Sequence, residues 1–247
     1  MCVARVHVRS TESLKVTGSH HLELSGSRVK PKAALWGVIT FLWLFMLNAQ
    51  APSRAQLRRQ LRQARNNLSP LEQKKAAQQL ARTLSHTPLF RKSRHIAVYV
   101  ASDGEIDPKA LVVEAQKRKK TLYVPVLAKW PKTHMYFQPI NTKTRWGKNR
   151  YGIREPLRNL RAARKPWALS LIMLPLVGFD NAGGRLGMGG GFYDRKLSYL
   201  HTRAYWQSPM LIGLAHECQK VESLNQADWD IPLAGCATDA RFYPSAR

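Results

Sequence analysis

The segment Arg185-Leu186-Gly187-Met188-Gly189-Gly190-Gly191-Phe192-Tyr193-Asp194-Arg195 holds the densest set of chemically useful groups in the chain. Glycines let the backbone take positive φ and approach a ligand closely. Consecutive N–H groups can then cradle phosphate oxygens, helped by the start of a following helix. Arg185 and Arg195 add positive charge, and Asp194 suits a magnesium ion bridging phosphates. The chemistry to expect is the binding and activation of a small phosphate-bearing or anionic substrate. Two common phosphate patterns do not fit. A P-loop would end in Gly-Lys-Ser/Thr, and a dinucleotide GxGxxG starting at Gly187 would need glycine where Phe192 stands. A glycine-rich turn with no ligand is the plainer reading, and the flanking Arg, Tyr and Asp argue against it.

Other reaction classes find little support. No Ser-His-Asp or Cys-His constellation is recognisable. The three cysteines, Cys2, Cys218 and Cys236, form no CxxC pair. An odd, scattered set argues against a disulfide framework or a structural zinc site and fits a reducing cytoplasm. The 40 Lys+Arg outweigh the 15 Asp+Glu, for a formal charge of +25. That balance suits polyanionic partners such as phosphates, polycarboxylates or nucleic acid. The cations are spread along the chain, and a solvated basic surface explains them equally well.

The elements that must position the glycine segment follow from periodicity. Leu169 to Val177 is strongly apolar and predicts a buried strand. A loop from Gly178 to Gly191 leads into a helix from about Phe192. Upstream, Arg54 to Asn67 has Leu57, Leu61 and Ala64 at helical spacing. Ser69, Pro70 and Glu72 form a helix start with a capping box, and that helix should run to about Ser85. His95 to Ala101 reads as a strand, Asp103-Gly104 as a turn, and Asp107-Pro108 as the start of a helix to about Lys119. Thr121 to Leu127, His134 to Pro139, Pro209 to Ala215 and Gly235 to Thr238 read as further strands. Alternation of apolar strands with helices predicts an α/β fold: a three-layer α/β/α domain with a mostly parallel open sheet. The length and 44% hydrophobic content suffice for one sizeable core, so residues 51–247 are expected to form a single domain.

Residues 1–50 read differently. Ala33 to Leu47 is mostly apolar, preceded by Arg28, Lys30 and Lys32 and followed by Ala49-Gln50-Ala51, in the manner of a signal peptide. The long stretch before the apolar run and the start-like Met46-Leu47-Asn48 favour an N-terminal extension outside the domain, with the native start near Met46. No function is placed on residues 1–45.

Several separated pieces, in order, resemble the 5-formyltetrahydrofolate cyclo-ligase (methenyltetrahydrofolate synthetase) family. Arg185 to Arg195 looks like its signature. Arg54-Ala55-Gln56-Leu57-Arg58 is similar to its Lys-x-x-Leu-Arg element, and Gly104-Glu105-Ile106-Asp107 to its acidic turn. Trp146, Gly152-Ile153 and Glu155-Pro156 match its central stretch, and Leu174 to Asp180 its strand before the glycine loop. The resemblance implies ATP contacts from Arg54, Arg58, Arg185, Leu186, Gly187, Met188, Gly189, Gly190, Gly191, Phe192 and Tyr193. Met188 to Phe192 would also border the folate, with Ser102, Glu105 and Asp107 on the substrate. Carboxylates suit the donor-rich amino-pyrimidine edge of a pterin. Asp107 has a second reading, as the cap of the helix begun by Pro108. Trp146 and Tyr151 could pack on the substrate or serve as core. Magnesium would be held by Asp194 and Asp228, although Ala227 stands where a polar residue is common. Arg54 replaces the more usual Lys.

The activity so implied is ATP-dependent closure of 5-formyltetrahydrofolate, with or without a polyglutamate tail, to 5,10-methenyltetrahydrofolate. The formyl oxygen takes the γ-phosphoryl group and N10 then attacks, with Arg185 and Tyr193 as catalytic residues. A cytoplasmic monomer needing no nucleic acid and no membrane is expected. The alternatives are a basic nucleic-acid-binding protein and a folate-binding relative without catalysis.

Overall fold

The computed structural model describes residues 52–131, 134–202 and 209–245. The extension read at residues 1–50 therefore lies outside the described residues. Helix α1 spans Arg54–Asn66, with Ser53 and Gln56 closing a capping box at its start. Helix α2 spans Pro70–Ser85 and is capped by Ser69 and Glu72 as the sequence predicts. A short α3 (Pro88–Lys92) leads into strand β1, His95–Ala97. Then follow α4 (Lys109–Lys117), β2 (Thr121–Leu127) and β3 (Met135–Ile140). A hairpin is made by β4 (Trp146–Lys148) and β5 (Arg154–Pro156), and β6 (Leu171–Pro175) follows. Strands β7 (Gly178–Phe179) and β8 (Arg185–Leu186) form a second hairpin before α5, Phe192–Leu197. Strands β9 (Met210–Leu214), β10 (Gly235–Ala237) and β11 (Phe242–Pro244) complete the order.

Seven strands form one sheet in the order β11-β10-β9-β6-β1-β2-β3. The inner five are parallel, and β11 and β3 are antiparallel edges. Alternation along the strands divides the core. Ile96, Leu122, Val124, Leu171 and Met173 face α2 and α4 through Leu80, Leu84, Leu111 and Ala115. Ala97, Tyr123, Ile172 and Leu174 face the other layer, with Leu197 of α5 and Ile231 and Leu233. The three-layer, mostly parallel arrangement is the one the sequence predicts. No helix among the described residues is long and apolar enough to cross a membrane.

The differences are local. Strand β1 is shorter than its apolar run: Val98 N–H still donates to the Tyr123 carbonyl at 2.8 Å, but the strand pairing ends at Ala97, well before the positive-φ corner at Asp103-Gly104. The segment read as one loop from Gly178 to Gly191 contains the β7–β8 hairpin. Asp180 builds its turn by accepting from the N–H groups of Ala182 and Gly184 at 3.0 and 2.7 Å. The hairpin matters for the site, since it holds Arg185 in a strand before the glycines begin.

Candidate active site

Chain order and sheet order together place the cleft. From β1 the chain moves to β2 on one side, while β6 and β9 lie on the other, so the sheet reverses between β1 and β6. Ligands of open α/β sheets bind at the carboxyl ends of the strands beside such a reversal. A cavity of about 1240 Å³ lies there, lined by Tyr99, Val100 and Ser102 after β1, by Leu174 to Leu176 at the end of β6, and by the glycine segment.

Helix α1 forms one wall. Leu61 is buried against Val177 and Leu186, and Leu57 packs alongside. With that face fixed, Arg54, Arg58 and Arg62, four residues apart along one stripe, line the cavity. Arg58 Nε donates to the Gly187 carbonyl at 2.8 Å. Arg54 Nη1 donates to Asp230 Oδ2 and to the Asn225 carbonyl, both at 2.8 Å. Burial alone would raise the Asp230 carboxyl, but the hydrogen bonds from Arg54 and the Ala227 N–H hold it below its usual range.

The glycine segment forms the second wall. Gly189 and Gly191 have φ of 91° and 60°, the left-handed region that glycine tolerates. Arg58 and Arg195 occupy the carbonyls of Gly187 and Gly190. The N–H groups of Gly187 to Gly190 donate to no acceptor among the described residues. Carbonyls taken and amides available is the polarity an anion requires. Arg185, almost fully buried, forms an ion pair with Asp194, which retains some exposure. Helix α5 is only six residues long, so the loop amides and arginines supply the positive field rather than a long helix dipole.

The third wall is the acidic turn. The Glu105 carboxylate accepts from Ser102 N–H at 3.0 Å and lies beside the Ser102 hydroxyl. Burial raises its pKa, against the Ser102 bonds and the Arg65 charge. Tyr193 stands close by, and its hydroxyl is pushed well above its usual value, first by burial and then by the Glu105 charge. It is therefore a neutral donor at any working pH. Tyr151 and Phe192 meet edge to face at 6.2 Å and, with Leu127, Met135 and Met188, make the cleft partly apolar.

Most of the residues singled out in the sequence come together here: Arg54, Arg58, Ser102, Glu105, Arg185, Gly187 to Tyr193 and Asp194 all line the cavity. Three do not. The Leu186 side chain is buried beneath the hairpin against Leu61, so only its main chain is near the site. Asp107 stands just before α4, whose N-cap is Pro108 rather than Asp107; its Oδ1 accepts from Lys109 N–H at 2.9 Å, and it is not on the cavity wall. Asp228 is exposed and off the wall, whereas Asp230, two residues on, lines it and holds Arg54. Tyr151 lines the cleft, while Trp146 lies in the β4–β5 hairpin beneath the Arg154 guanidinium. Sequence reading passed over Arg62 and Arg65, and took Asp103 only as a turn residue. The signal for Arg62 was the four-residue spacing from Arg54 and Arg58.

The chain matches the model of the 5-formyltetrahydrofolate cyclo-ligase family over residues 50–239. It is 37% identical over 180 residues to the 5-formyltetrahydrofolate cyclo-ligase of Haemophilus influenzae, covering 73% of this chain and 94% of that one. It is 35% identical over 183 residues to the Escherichia coli K12 protein of the same name, covering 74% and 98%. Among solved structures it resembles Aquifex aeolicus 5,10-methenyltetrahydrofolate synthetase, with a TM-score of 0.66 and 28% identity over 78% of this chain and 94% of that one.

Proposed function

Because the chain belongs to the 5-formyltetrahydrofolate cyclo-ligase family and is an enzyme of that kind, we propose that its cleft joins an ATP site on the glycine segment to a folate site on the acidic turn. The observation that carries this reading is the row of undonated N–H groups from Gly187 to Gly190, flanked by Arg58 and Arg185 in one cleft with Glu105.

In this reading the glycine amides, Arg54, Arg58 and Arg185 bind the triphosphate. Glu105, with Ser102, grips the amino-pyrimidine edge of the pterin through charge-assisted hydrogen bonds. Phe192, Met188 and Tyr151 cover the ring and exclude water. The formyl carbon on N5 is amide-like and resists N10. Its oxygen attacks the γ-phosphorus, and the bond to the β–γ bridging oxygen breaks to release ADP. N10 then attacks the activated carbon and loses its proton. The formyl oxygen departs within inorganic phosphate, leaving carbon bridged between N5 and N10. Such transfer requires positioning and charge neutralisation more than a protein nucleophile. The buried Arg185 faces the charge that develops, and the neutral Tyr193 hydroxyl can donate to it.

Magnesium fits the donor set in a limited way. The described residues contain no cluster of three or more His, Cys, Asp or Glu side chains that would cage a metal. Magnesium commonly takes one or two carboxylates plus phosphates and waters, and Asp194 on the wall beside Arg185 offers one. Bound there, the ion would neutralise phosphate charge.

The test is turnover. The purified full chain with 5-formyltetrahydrofolate and Mg-ATP should generate methenyl absorbance in the near ultraviolet, and no signal at saturating substrates would refute the proposal. Gly187→Ala sharpens it, because a Cβ at Gly187 meets nothing within 4 Å. The variant should melt like the parent yet show the KM for ATP raised by about tenfold or more, the cost of a methyl intruding on a close phosphate contact. An unchanged KM would remove the phosphate from that position.

A further inference from the structure

Arg65 is fully buried, although it carries a charge. A buried guanidinium is costly unless its donors are met, and an apolar residue of similar volume often serves stability as well or better. Here the donors all go to the walls of the cleft. Nε donates to the Asp103 carbonyl at 2.8 Å, Nη2 to Asp103 Oδ2 at 2.7 Å, and Nη1 to the Leu176 carbonyl at the end of β6 at 3.1 Å. The Met188 sulfur of the glycine segment lies 3.9 Å from Nη2. Other groups fix the same corner. Arg62 Nε donates to Asp103 Oδ2 at 2.8 Å, and Asn66 Nδ2 reaches Oδ1 at 3.4 Å. The carbonyl of Gly104 accepts from His216 Nε2 at 3.2 Å. Asp103 and Gly104 both have positive φ, 50° and 72°, a conformation costly for a residue other than glycine. A side chain at Gly104 would collide with Asn66, whose Oδ1 would stand 2.0 Å from the new Cβ.

We infer that Arg65 is a positioning residue for the folate half of the cleft: its fork holds the left-handed Asp103-Gly104 corner against α1 and β6, and so sets where the Glu105 carboxylate stands. The inference rests on the reading of Glu105 as a pterin contact. Arg65 does not line the cavity, so it would act on the substrate only through the turn. Its effect is transmitted through a turn in which Glu105 N–H donates to the Ser102 carbonyl at 2.9 Å, closing the loop around Asp103. The nucleotide side should feel little of this, because Arg54 and Arg58 lie nearer the start of α1, and Arg58 holds the glycine segment independently.

The experiment compares the parent with Arg65→Met and Asp103→Asn. Asparagine tolerates the left-handed backbone, so Asp103→Asn removes the charge and keeps the turn. Asp103 is partly exposed, which keeps this second variant informative if Arg65→Met fails to fold. Two quantities are read: the separate KM values for 5-formyltetrahydrofolate and ATP, and hydrogen exchange of the 102–107 segment without substrates. The expected result is a folate KM raised by about tenfold, from loss of charge-assisted bonds that hold the turn, with the ATP KM unchanged and exchange of the segment faster. Equal rises in both KM values, or parental KM and exchange in both variants, would overturn the inference. Exchange reports on the pin whether or not turnover occurs. A parent that binds no folate but shows faster exchange in the variants would sink the reading of Glu105 and spare the pin.

Discussion

Replacing Arg185 by methionine is expected to lower kcat by about a thousandfold, in line with arginines that meet charge in phosphoryl transfer. The geometry sets this apart from general damage. Arg185 sits in β8, almost fully buried, and its guanidinium is oriented by Asp194 before any substrate arrives. A preoriented donor requires little reorganisation when charge develops. Methionine fills similar volume, and Asp194 retains enough exposure to be hydrated once alone. The variant should therefore fold and melt close to the parent. Arg185→Lys keeps the charge but loses the planar fork and should recover only part of the rate. Steady-state kinetics at saturating ATP separate the outcomes. A kcat within a few fold of the parent would remove Arg185 from the chemical step.

The second large effect runs in two directions at once. Glu105→Gln should raise the KM for 5-formyltetrahydrofolate by about a hundredfold, as expected when charge-assisted bonds to an amino-pyrimidine edge become neutral ones. The same change should stabilise the fold at neutral pH. Burial raises the Glu105 pKa above its usual 4.5, so the folded protein holds this proton more tightly than the unfolded chain does. Stability from this group is present below pH 4.5 and is lost as pH rises through the raised folded value. Above the raised folded value the ionised carboxylate is therefore a burden, and glutamine removes it. Thermal melts at neutral pH should show Glu105→Gln a few degrees above the parent. At pH below 4.5 that gap should close. A variant that lost both folate affinity and stability would mean that Glu105 serves the fold rather than the ligand. Asp103, two residues earlier, has the opposite sign. The Arg62 hydrogen bond first, with help from Arg65, holds it down to about 2 from the usual 3.8 against burial. Its contribution is present above pH 3.8 and is lost as acid carries it through the folded value.

Much of this site could be read before the fold was known. The glycine segment advertised itself, because closely spaced glycines between arginines have few other uses. The strand before it and the capping box of α2 follow from local rules of periodicity and hydrogen bonding. What stayed hidden depends on contacts distant in sequence. Nothing near Arg65 says that it will be buried, since its acceptors lie 38 and 111 residues away at Asp103 and Leu176. Asp107 and Asp230 show the same limit. A carboxylate two residues from a helix start can cap or face a ligand, and only the direction of the turn decides. The sequence singled out Asp228, but the aspartate that Arg54 reaches and that lines the cavity is Asp230, two residues on. The short strands β4, β5, β7 and β8 escaped because two or three residues carry no measurable alternation. They form because turns at Asn149 to Gly152 and Asp180 to Gly184 bring their ends together.

The most direct measurement follows one oxygen atom. 5-Formyltetrahydrofolate labelled with ¹⁸O in the formyl group would be converted with Mg-ATP by the purified chain, and the released inorganic phosphate examined by mass spectrometry. Attack of the formyl oxygen on the γ-phosphorus requires each phosphate to leave carrying one ¹⁸O. Methenyl product formed alongside unlabelled phosphate, with the label in water, would contradict it.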